Sequence, residues 1–520
     1  MDNRRQPRRR MRSAAPRGLS GCRAAALLTL VSVPVLTSGC MQRADTMAEL
    51  RAVRRRAYGD WKRSREQESA RDRVHLSGDL ELQDAIKLAL VHNKDLQATL
   101  RERTIADGRV TESYEGFLPS AALQASYVRL EETPEIDIGI TTLDVESLNN
   151  YSTALEVRQP VFRGGASVAR QRAAQLSRLL ADESVRGKVQ ETIFNVSSQY
   201  YQVLLARYLH QANADAVFSA ERHLQDVQKK AEQGVAGDYD VLRAKVDLSN
   251  FQAEKLAQEN RIELARARLL KAMGTSPDSS VVLTDDLSYD PLKPAFEQAV
   301  KVAYRNRPDL YSAELAVRVQ EQHLAAAKGA YWPRVDAVLR EEYSRPEPGL
   351  GGDLDSWGDR WYAGVEIAYA LFEGLGREGR IQQSEATLQQ AHKRLLEAEE
   401  QVVLDVRESL LNLMNAEEFV ESQKLNLRRA KEATRLVEVG YREGVSTLVE
   451  VTDARSALTR ARSLYYEAIH AHTIARLNLK RALGILGPEA GDRSVKDYEP
   501  SDPADVTPLA APAPERAPDK

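Results

Sequence analysis

The chain has 520 residues, of which 42% are hydrophobic and 29% are charged. This hydrophobic content excludes an intrinsically disordered protein, because it supplies enough apolar surface to form a core. The first 39 residues carry eight arginines against one aspartate, a charge of +7. Because the whole chain has a formal charge of -3, the remainder carries -10. An acidic body argues against a nucleic-acid partner, which requires a basic surface.

Residues 1–39 are predicted to be a signal peptide. Arginines precede an apolar run at residues 24–36, and small residues then lead to Cys40. This order is typical of an export signal, and the run is too short to cross a bilayer as a helix. The ending Thr37-Ser38-Gly39-Cys40 resembles a lipobox, in which Cys40 would be acylated and would tether the N-terminus to a membrane. An incidental cysteine in an ordinary signal peptide is the alternative.

The body of the chain repeats itself, which predicts two copies of one structural unit. We place the repeats at residues 80–290 and 291–486. A charged lipoprotein spacer (40–79) precedes them, and a Pro/Ala-rich tail (487–520) that is predicted to be disordered follows. At offsets of 214 and then 210 the matched pairs include Asp95 with Asp309, Pro119 with Pro333, Phe162 with Phe372, and Gly274 with Gly484.

Each repeat is predicted to begin with a helix that ends at a proline, followed by two strands. The first helix covers residues 82–117, and its counterpart runs from about 295 to Pro333. The strand pairs occupy 120–162 and 333–372, where apolar and polar residues alternate as in Val365, Ile367, Tyr369 and Leu371. A soluble sandwich would give the same pattern. Strands of about 10 residues with one apolar face also suit a transmembrane sheet.

A very long helix comes next in each repeat, at residues 166–232 and 377–441. Neither stretch contains proline, and at about 1.5 Å per residue each would reach about 100 Å, which excludes a compact domain. Shorter helices follow at 238–273 and 447–484. In the last one, alanine recurs every seven residues, as in a coiled coil, and forms a seam along one face of the helix: Ala454, Ala461, Ala468, Ala475 and Ala482. A periplasmic coiled-coil scaffold or adaptor shares this seam and remains an alternative, although it would lack the strands.

This arrangement resembles the TolC family of outer-membrane efflux and secretion proteins. The resemblance rests on three kinds of paired motif: the ends of the opening helices (118–119 and 332–333), the strand-to-helix corners (160–165 and 370–376) and the helical turns (234–241 and 444–451). It implies a mainly α, internally duplicated fold with a small transmembrane β part. Long helical hairpins would form a trimeric tunnel, and four strands per protomer would contribute to a shared 12-stranded β-barrel.

The resemblance also implies a function and partners. The chain would be the outer-membrane exit channel of a tripartite efflux pump, with a large periplasmic portion. As a homotrimer it would work with a periplasmic adaptor protein and an inner-membrane transporter. An exit duct for type I protein secretion is the alternative on the same scaffold.

By position in the motif, the resemblance assigns a gate to four residues: Asp240, Tyr441, Glu450 and Asp453. Glu450 and Asp453 are three apart and share a helix face, so three copies would form anionic rings that filter ions. A solvated helix start, where acids favour the helix dipole, is the other interpretation.

At one position of the helical turns the sequence differs from the family. The same turns also indicate which residues contact the adaptor. Ser446 stands where related gates carry an arginine, and Arg442 or Arg243 is a candidate replacement. The adaptor-contact tips are predicted at the two glycine turns, formed by Gly234, Val235, Gly444 and Val445.

No catalytic, cofactor or metal motif is found in the sequence. The closest histidine pair, His470 and His472, is two apart on a helix, so the two rings point in different directions. Phosphate loops and zinc spacings are absent from the sequence. We therefore predict a protein that is not an enzyme and needs no cofactor, and we interpret His472 as a packing residue of the seam.

Overall fold

The computed structural model describes residues 77–132, 135–137, 142–144, 147–277, 279–292, 294–347 and 354–487. The predicted signal peptide, Cys40 and nearly all of the spacer lie outside the described residues, as does the tail from residue 488 onward.

The first repeat contains two short helices, a strand pair and a hairpin of two long helices. Its elements are β1 (Ser77–Leu80), α1 (Leu82–His92), α2 (Lys94–Glu112), β2 (Ser120–Arg129), β3 (Glu135–Asp137), β4 (Thr142–Asp144), β5 (Asn149–Phe162), α3 (Ala166–Glu232) and α4 (Asp238–Met273).

The second repeat has the same order of elements after a short strand. Its elements are β6 (Ser280–Leu283), α5 (Phe296–Asn306), α6 (Pro308–Lys328), β7 (Arg334–Arg345), β8 (Gly358–Ala368), α7 (Gly376–Arg442) and α8 (Leu448–Ala482). Helices α3 and α7 have 67 residues each. Helices α4 and α8 both end just before a glycine with positive φ, Gly274 and Gly484. The predicted duplication and the predominantly helical fold are confirmed.

The helices that open each repeat are broken, so the prediction of one continuous helix was wrong. Asn93 is extended, with ψ 121°, and its side chain accepts a hydrogen bond from the Leu96 amide at 2.9 Å, which starts a new helix. In the second repeat the break falls at Arg307, which is also extended. Pro308 follows it, and proline disfavours the helical conformation in the preceding residue.

The four long strands form one antiparallel sheet in the order β2-β5-β7-β8. Strands β2 and β8 are therefore edges with no further partner among the described strands. The last strand ends at Ala368 rather than continuing through Tyr369 and Leu371 as predicted. Ala368 already pairs with Arg334, the first residue of β7, so the next residues have no strand opposite them.

Two small pairings were not predicted. Strands β3 and β4 form a hairpin within the loop that connects β2 to β5. Strand β1 pairs in parallel with β6, which joins the start of the first repeat to the segment after it. The hydroxyl of the fully buried Tyr200 lies 2.8 Å from the Leu80 carbonyl oxygen, so α3 packs directly under this pair.

Helix α3 packs against α4 and α8, and α8 packs against α7. The four long helices therefore lie in the order α4-α3-α8-α7. The predicted seam of α8 is buried at Ala461, Ala468 and Ala475 and half-buried at Ala454 and Ala482. None of the helices in the described part of the chain is both long and apolar enough to cross a membrane.

Candidate functional site

The four-stranded sheet has one largely apolar face that nothing in the described chain covers, although Glu341 lies on it opposite Leu155. Strand register places Leu123, Leu155, Leu339 and Val365 on this face, together with other apolar residues. Leu123 is 73% exposed, and the other three are also exposed. An apolar surface of this extent is typical of a face that contacts lipid or another protein.

Aromatic side chains lie at both ends of the same sheet. At the loop end, the rings of Tyr127 and Tyr151 are 4.9 Å apart, and those of Tyr343 and Trp357 are stacked at 5.0 Å. At the end nearer the helices, the ring of Phe162 lies 6.3 Å from that of Trp332. Aromatic belts on both sides of an apolar band are characteristic of strands that cross a bilayer.

The opposite face of the sheet carries a network of ion pairs. Arg158 on β5 pairs with Glu366 on β8 at 2.9 Å and with Asp336 on β7 at 3.5 Å. Asp336 is 6% exposed and also binds Arg163 at 2.6 Å. Opposite charges thus link three strands and make this face polar.

The helical turns have the geometry that the glycines predicted. Gly234 and Gly444 adopt φ of 73° and 76°, a conformation that glycine adopts without strain. The next amide of each turn donates back into the helix, from Val235 to the Lys230 oxygen at 2.9 Å and from Val445 to the Gly440 oxygen at 2.8 Å. The side chains of Val235 and Val445 are 75% and 84% exposed. Each hairpin therefore ends in one exposed valine.

Two of the predicted gate acids form helix caps. The Asp240 carboxylate accepts a hydrogen bond from the Gly237 amide at 3.2 Å, and the Glu450 carboxylate accepts one from the Thr447 amide at 2.7 Å. Glu450 thus forms a capping box with Thr447 at the start of α8. Asp240 caps the start of α4 from one side only, because Gly237 has no side chain that could return the bond. Asp453 is exposed one turn further along α8.

Tyr441 contacts the other hairpin. The Lys230 ammonium lies 4.1 Å from the centre of its ring, and the His223 ring lies 6.2 Å away. In the described part of the chain, no hydrogen bond or ion pair joins Tyr441 to the three gate acids or joins those acids to one another. Neither Arg442 nor Arg243 forms an ion pair with Asp240 there.

Two arginines of α8 join the hairpins above the tips, and sequence reasoning missed them. Arg462 pairs with Asp215 of α3 at 2.7 Å. Arg455 pairs with Glu438 of α7 at 2.9 Å and donates to the Ser219 oxygen of α3 at 3.4 Å. No local pattern could have shown the contacts with Asp215 and Ser219, because the packing of α3 against α8 brings together residues from different repeats. The Arg455–Glu438 pair lies within one hairpin.

The segment between the repeats crosses the helices next to His472. The ring of Tyr289 lies 4.9 Å from the ring of His472, and the Leu292 amide donates to Glu417 at 2.7 Å. His472 is 1% exposed, so it is a packing residue as the seam predicted. Burial lowers its pKa and Arg476 lowers it further, while Glu417 and Asp290 partly oppose the decrease.

We expect the buried neutral His472 to make the protein less stable in acid. Its folded-state pKa lies below the ordinary value near 6.5, so the unfolded chain binds more protons as the pH falls through that range. The thermal midpoint should therefore fall between pH 7.5 and 5.5, and less so in His472→Gln. Burial also lowers the pKa of His223 and His470, so part of the slope should remain. The control His323→Gln changes an exposed histidine and should keep the wild-type slope. An unchanged slope in His472→Gln would contradict the assignment.

The structure has two long helical hairpins, one in each repeat, and a four-stranded sheet with one apolar and one polar face. These features together define the class of outer-membrane exit channels. The chain belongs to the outer membrane efflux protein family, whose model matches residues 85–275 and 299–485. The protein is thus an exit channel for efflux or secretion, and the family consists of transport channels rather than enzymes. The family assignment therefore argues against the alternative of a periplasmic coiled-coil scaffold or adaptor without a channel.

Known proteins resemble the chain over most of its length. The outer membrane protein TolC of Escherichia coli strain K12 is 23% identical over 421 residues, or 78% of this chain and 82% of TolC. The protein CyaE of Bordetella pertussis is 26% identical, over 81% of this chain and 86% of CyaE. In three dimensions, the open state of the Neisseria gonorrhoeae MtrE outer membrane channel matches with a TM-score of 0.66 and 19% identity. That match covers 78% of this chain and 90% of MtrE.

Proposed function

We propose that three copies of this chain form one continuous duct, the outer-membrane exit channel of a tripartite efflux system. The observation that carries the proposal is the sheet with two unpaired edges, β2 and β8. In a bilayer, backbone groups at an open edge have no water to bind, so the edges must pair with other strands. Pairing β2 of one copy with β8 of the next would close a twelve-stranded barrel with the apolar face outward.

The long helices support the same assembly. Helix α4 packs mainly against α3, while α7 packs against α8, α6 and α5. Exposed apolar side chains lie along both helices: Leu242, Val246, Leu256 and Leu264 on α4, and Leu404, Leu411, Leu425 and Leu436 on α7. In the trimer α7 of one copy packs against α4 of the next, which buries these residues in a tunnel wall.

The tips are the contact with the rest of the pump. Val235 and Val445 would dock a periplasmic adaptor protein, which links the duct to an inner-membrane transporter. Acylated Cys40 would hold the chain in outer-membrane lipid. Glu450 and Asp453 from three copies would form the anionic constriction, while one Glu450 oxygen keeps its capping bond.

Conductance of the purified protein in planar bilayers tests this function. The double variant Glu450→Ala with Asp453→Ala removes six carboxylates from the trimer. We expect single-channel conductance to rise and block by divalent cations to weaken, because a ring of negative charge binds such cations at the narrowest point.

Loss of the Glu450 cap should lower stability by about 1 kcal/mol per copy, so a separate Thr447→Ala variant serves as the control. It removes the reciprocal cap without removing a carboxylate and should retain the wild-type block. Bilayers that show no current with the wild-type protein would contradict the channel. Unchanged currents in the double variant would contradict the anionic ring.

A further inference from the structure

The four long helices line a half-open cavity of about 110 Å³ above the tips. All four helices contribute to its lining. Part of the wall consists of small side chains, which leave the space unfilled: Ala212, Ala216, Ala220 and Ala244. Phe251 and Leu458 provide larger apolar surfaces. The lining includes none of the predicted gate or tip residues.

One carboxylate in the cavity lining has no ion pair within the described part of the chain. Three carboxylates and two guanidinium groups line it. Asp215 and Glu438 are already paired with Arg462 and Arg455. Asp247 has a hydrogen bond from Thr452 but no ion pair within the described part of the chain. Burial raises the pKa of Asp247, while Arg243, one turn away on the same helix, opposes the increase.

A buried acceptor lies in the same lining. His223 is 8% exposed, and its Nε2 atom has no hydrogen-bond partner. Burial lowers the pKa of His223, and Arg455 lowers it further, so the ring is neutral near pH 7. When the proton of a neutral imidazole is on Nδ1, Nε2 is the nitrogen that accepts a hydrogen bond. Buried polar atoms are nearly always paired, so a lone one indicates a missing partner.

We propose that this cavity binds the primary ammonium group of a short aliphatic amine. The ammonium group forms the ion pair that Asp247 does not have and donates N–H bonds to Asp247 and His223. The alkyl chain contacts the alanines and Phe251. A cavity of about 150 Å³ holds benzene, so this smaller one fits a chain of about four carbons. Because the lining comes from both hairpins, the bound amine stabilises the hairpins against each other. This site is independent of the proposed function.

Binding of n-butylammonium chloride to the full-length protein in detergent tests the site. Saturation-transfer NMR should show saturable binding with a Kd of about 1 mM, a reasonable affinity for five non-hydrogen atoms. Tetramethylammonium has the charge without N–H donors, and 1-butanol has the chain without the charge. We expect each of them to bind at least about 10-fold more weakly, because a hydrogen bond to a charged group is lost.

Variants locate the ligand within the fold. Asp247→Asn and His223→Phe should weaken binding of n-butylammonium by about 10-fold or more. Glu263→Gln removes an exposed carboxylate from the same helix outside the cavity and should leave binding unchanged. The absence of saturation by the wild-type protein, equal binding of all three probes, or full binding by folded Asp247→Asn would each overturn the proposal. If Asp247→Asn does not fold, the comparison of the three probes on the wild-type protein shows whether the amine site exists.

Discussion

Leu123→Arg should abolish insertion of the protein into the outer membrane. Leu123 lies on the exposed apolar face of the sheet, four residues from the aromatic Tyr127 on the same strand face. An arginine near the bilayer centre costs about 2–4 kcal/mol in a membrane strand, and the proposed trimer would carry three. The measurement is the amount of heat-modifiable trimer that detergent extracts from outer membranes.

The matched control is the neighbouring residue on the other face. Gln124→Arg adds the same side chain to the same strand, but the alternation of the strand points it to the polar face. We expect this variant to assemble at close to the wild-type level. Equal loss of trimer in both variants would show that the strand is merely intolerant of arginine. Wild-type levels in Leu123→Arg would show that the apolar face does not meet lipid.

Gly274→Ala should lower stability more than a glycine change at either hairpin turn, Gly234 or Gly444. Gly274 has φ 75°, and a Cβ atom there would lie 2.1 Å from the His92 carbonyl oxygen. The left-handed conformation costs alanine about 1–2 kcal/mol, and the overlap adds about 1–3 kcal/mol, or more because the neighbour is backbone. The thermal midpoint by circular dichroism should fall by several degrees or more.

Gly234→Ala separates the cost of the left-handed backbone conformation from the cost of the close contact. Gly234 has nearly the same φ, 73°, but a Cβ atom there would meet nothing within 4 Å. This variant should therefore lose only about 1–2 kcal/mol. Gly484→Ala, the repeat counterpart of Gly274, would place its Cβ atom 2.7 Å from the Asn306 carbonyl and should resemble Gly274→Ala. Equal losses in Gly234→Ala and Gly274→Ala would contradict the role of the close contact.

The sequence alone was sufficient to predict the elements that depend on periodicity and on long uninterrupted stretches. The long helices lack proline, and the sheet alternates, so the bounds of α3, α4 and α8 differ from the predicted ones by two residues at most. The break at Asn93 was missed because a single cap competes with an otherwise helical pattern. The end of β8 was missed because the length of a strand depends on its partner strand, which the alternation does not show.

In the candidate site, too, the sequence predicts features that depend on local pattern but not those that depend on how distant helices pack. The turns at Gly234 and Gly444 could be predicted because positive φ favours glycine. The capping bonds of Asp240 and Glu450 were not predicted, although an acidic helix start that favours the helix dipole was the alternative considered for Glu450. The cross-links made by Arg455 and Arg462, and the cavity beside Asp247, depend on how two distant helices pack. No single stretch of sequence contains that information.

Cysteine cross-linking between the edge strands β2 and β8 tests most directly whether three copies close one barrel. The chain has few cysteines of its own, Cys22 and Cys40, and neither lies in the strands. Ala125→Cys on β2 would be combined in turn with a cysteine at each odd-numbered position from 359 to 367 on β8. Within one copy these edges are three strand spacings apart, about 14 Å, too far for a disulfide. Closure by three copies predicts that at least one pair oxidises in membranes to a covalent trimer and to nothing larger. Monomers throughout, or a ladder that continues beyond three copies, would contradict it.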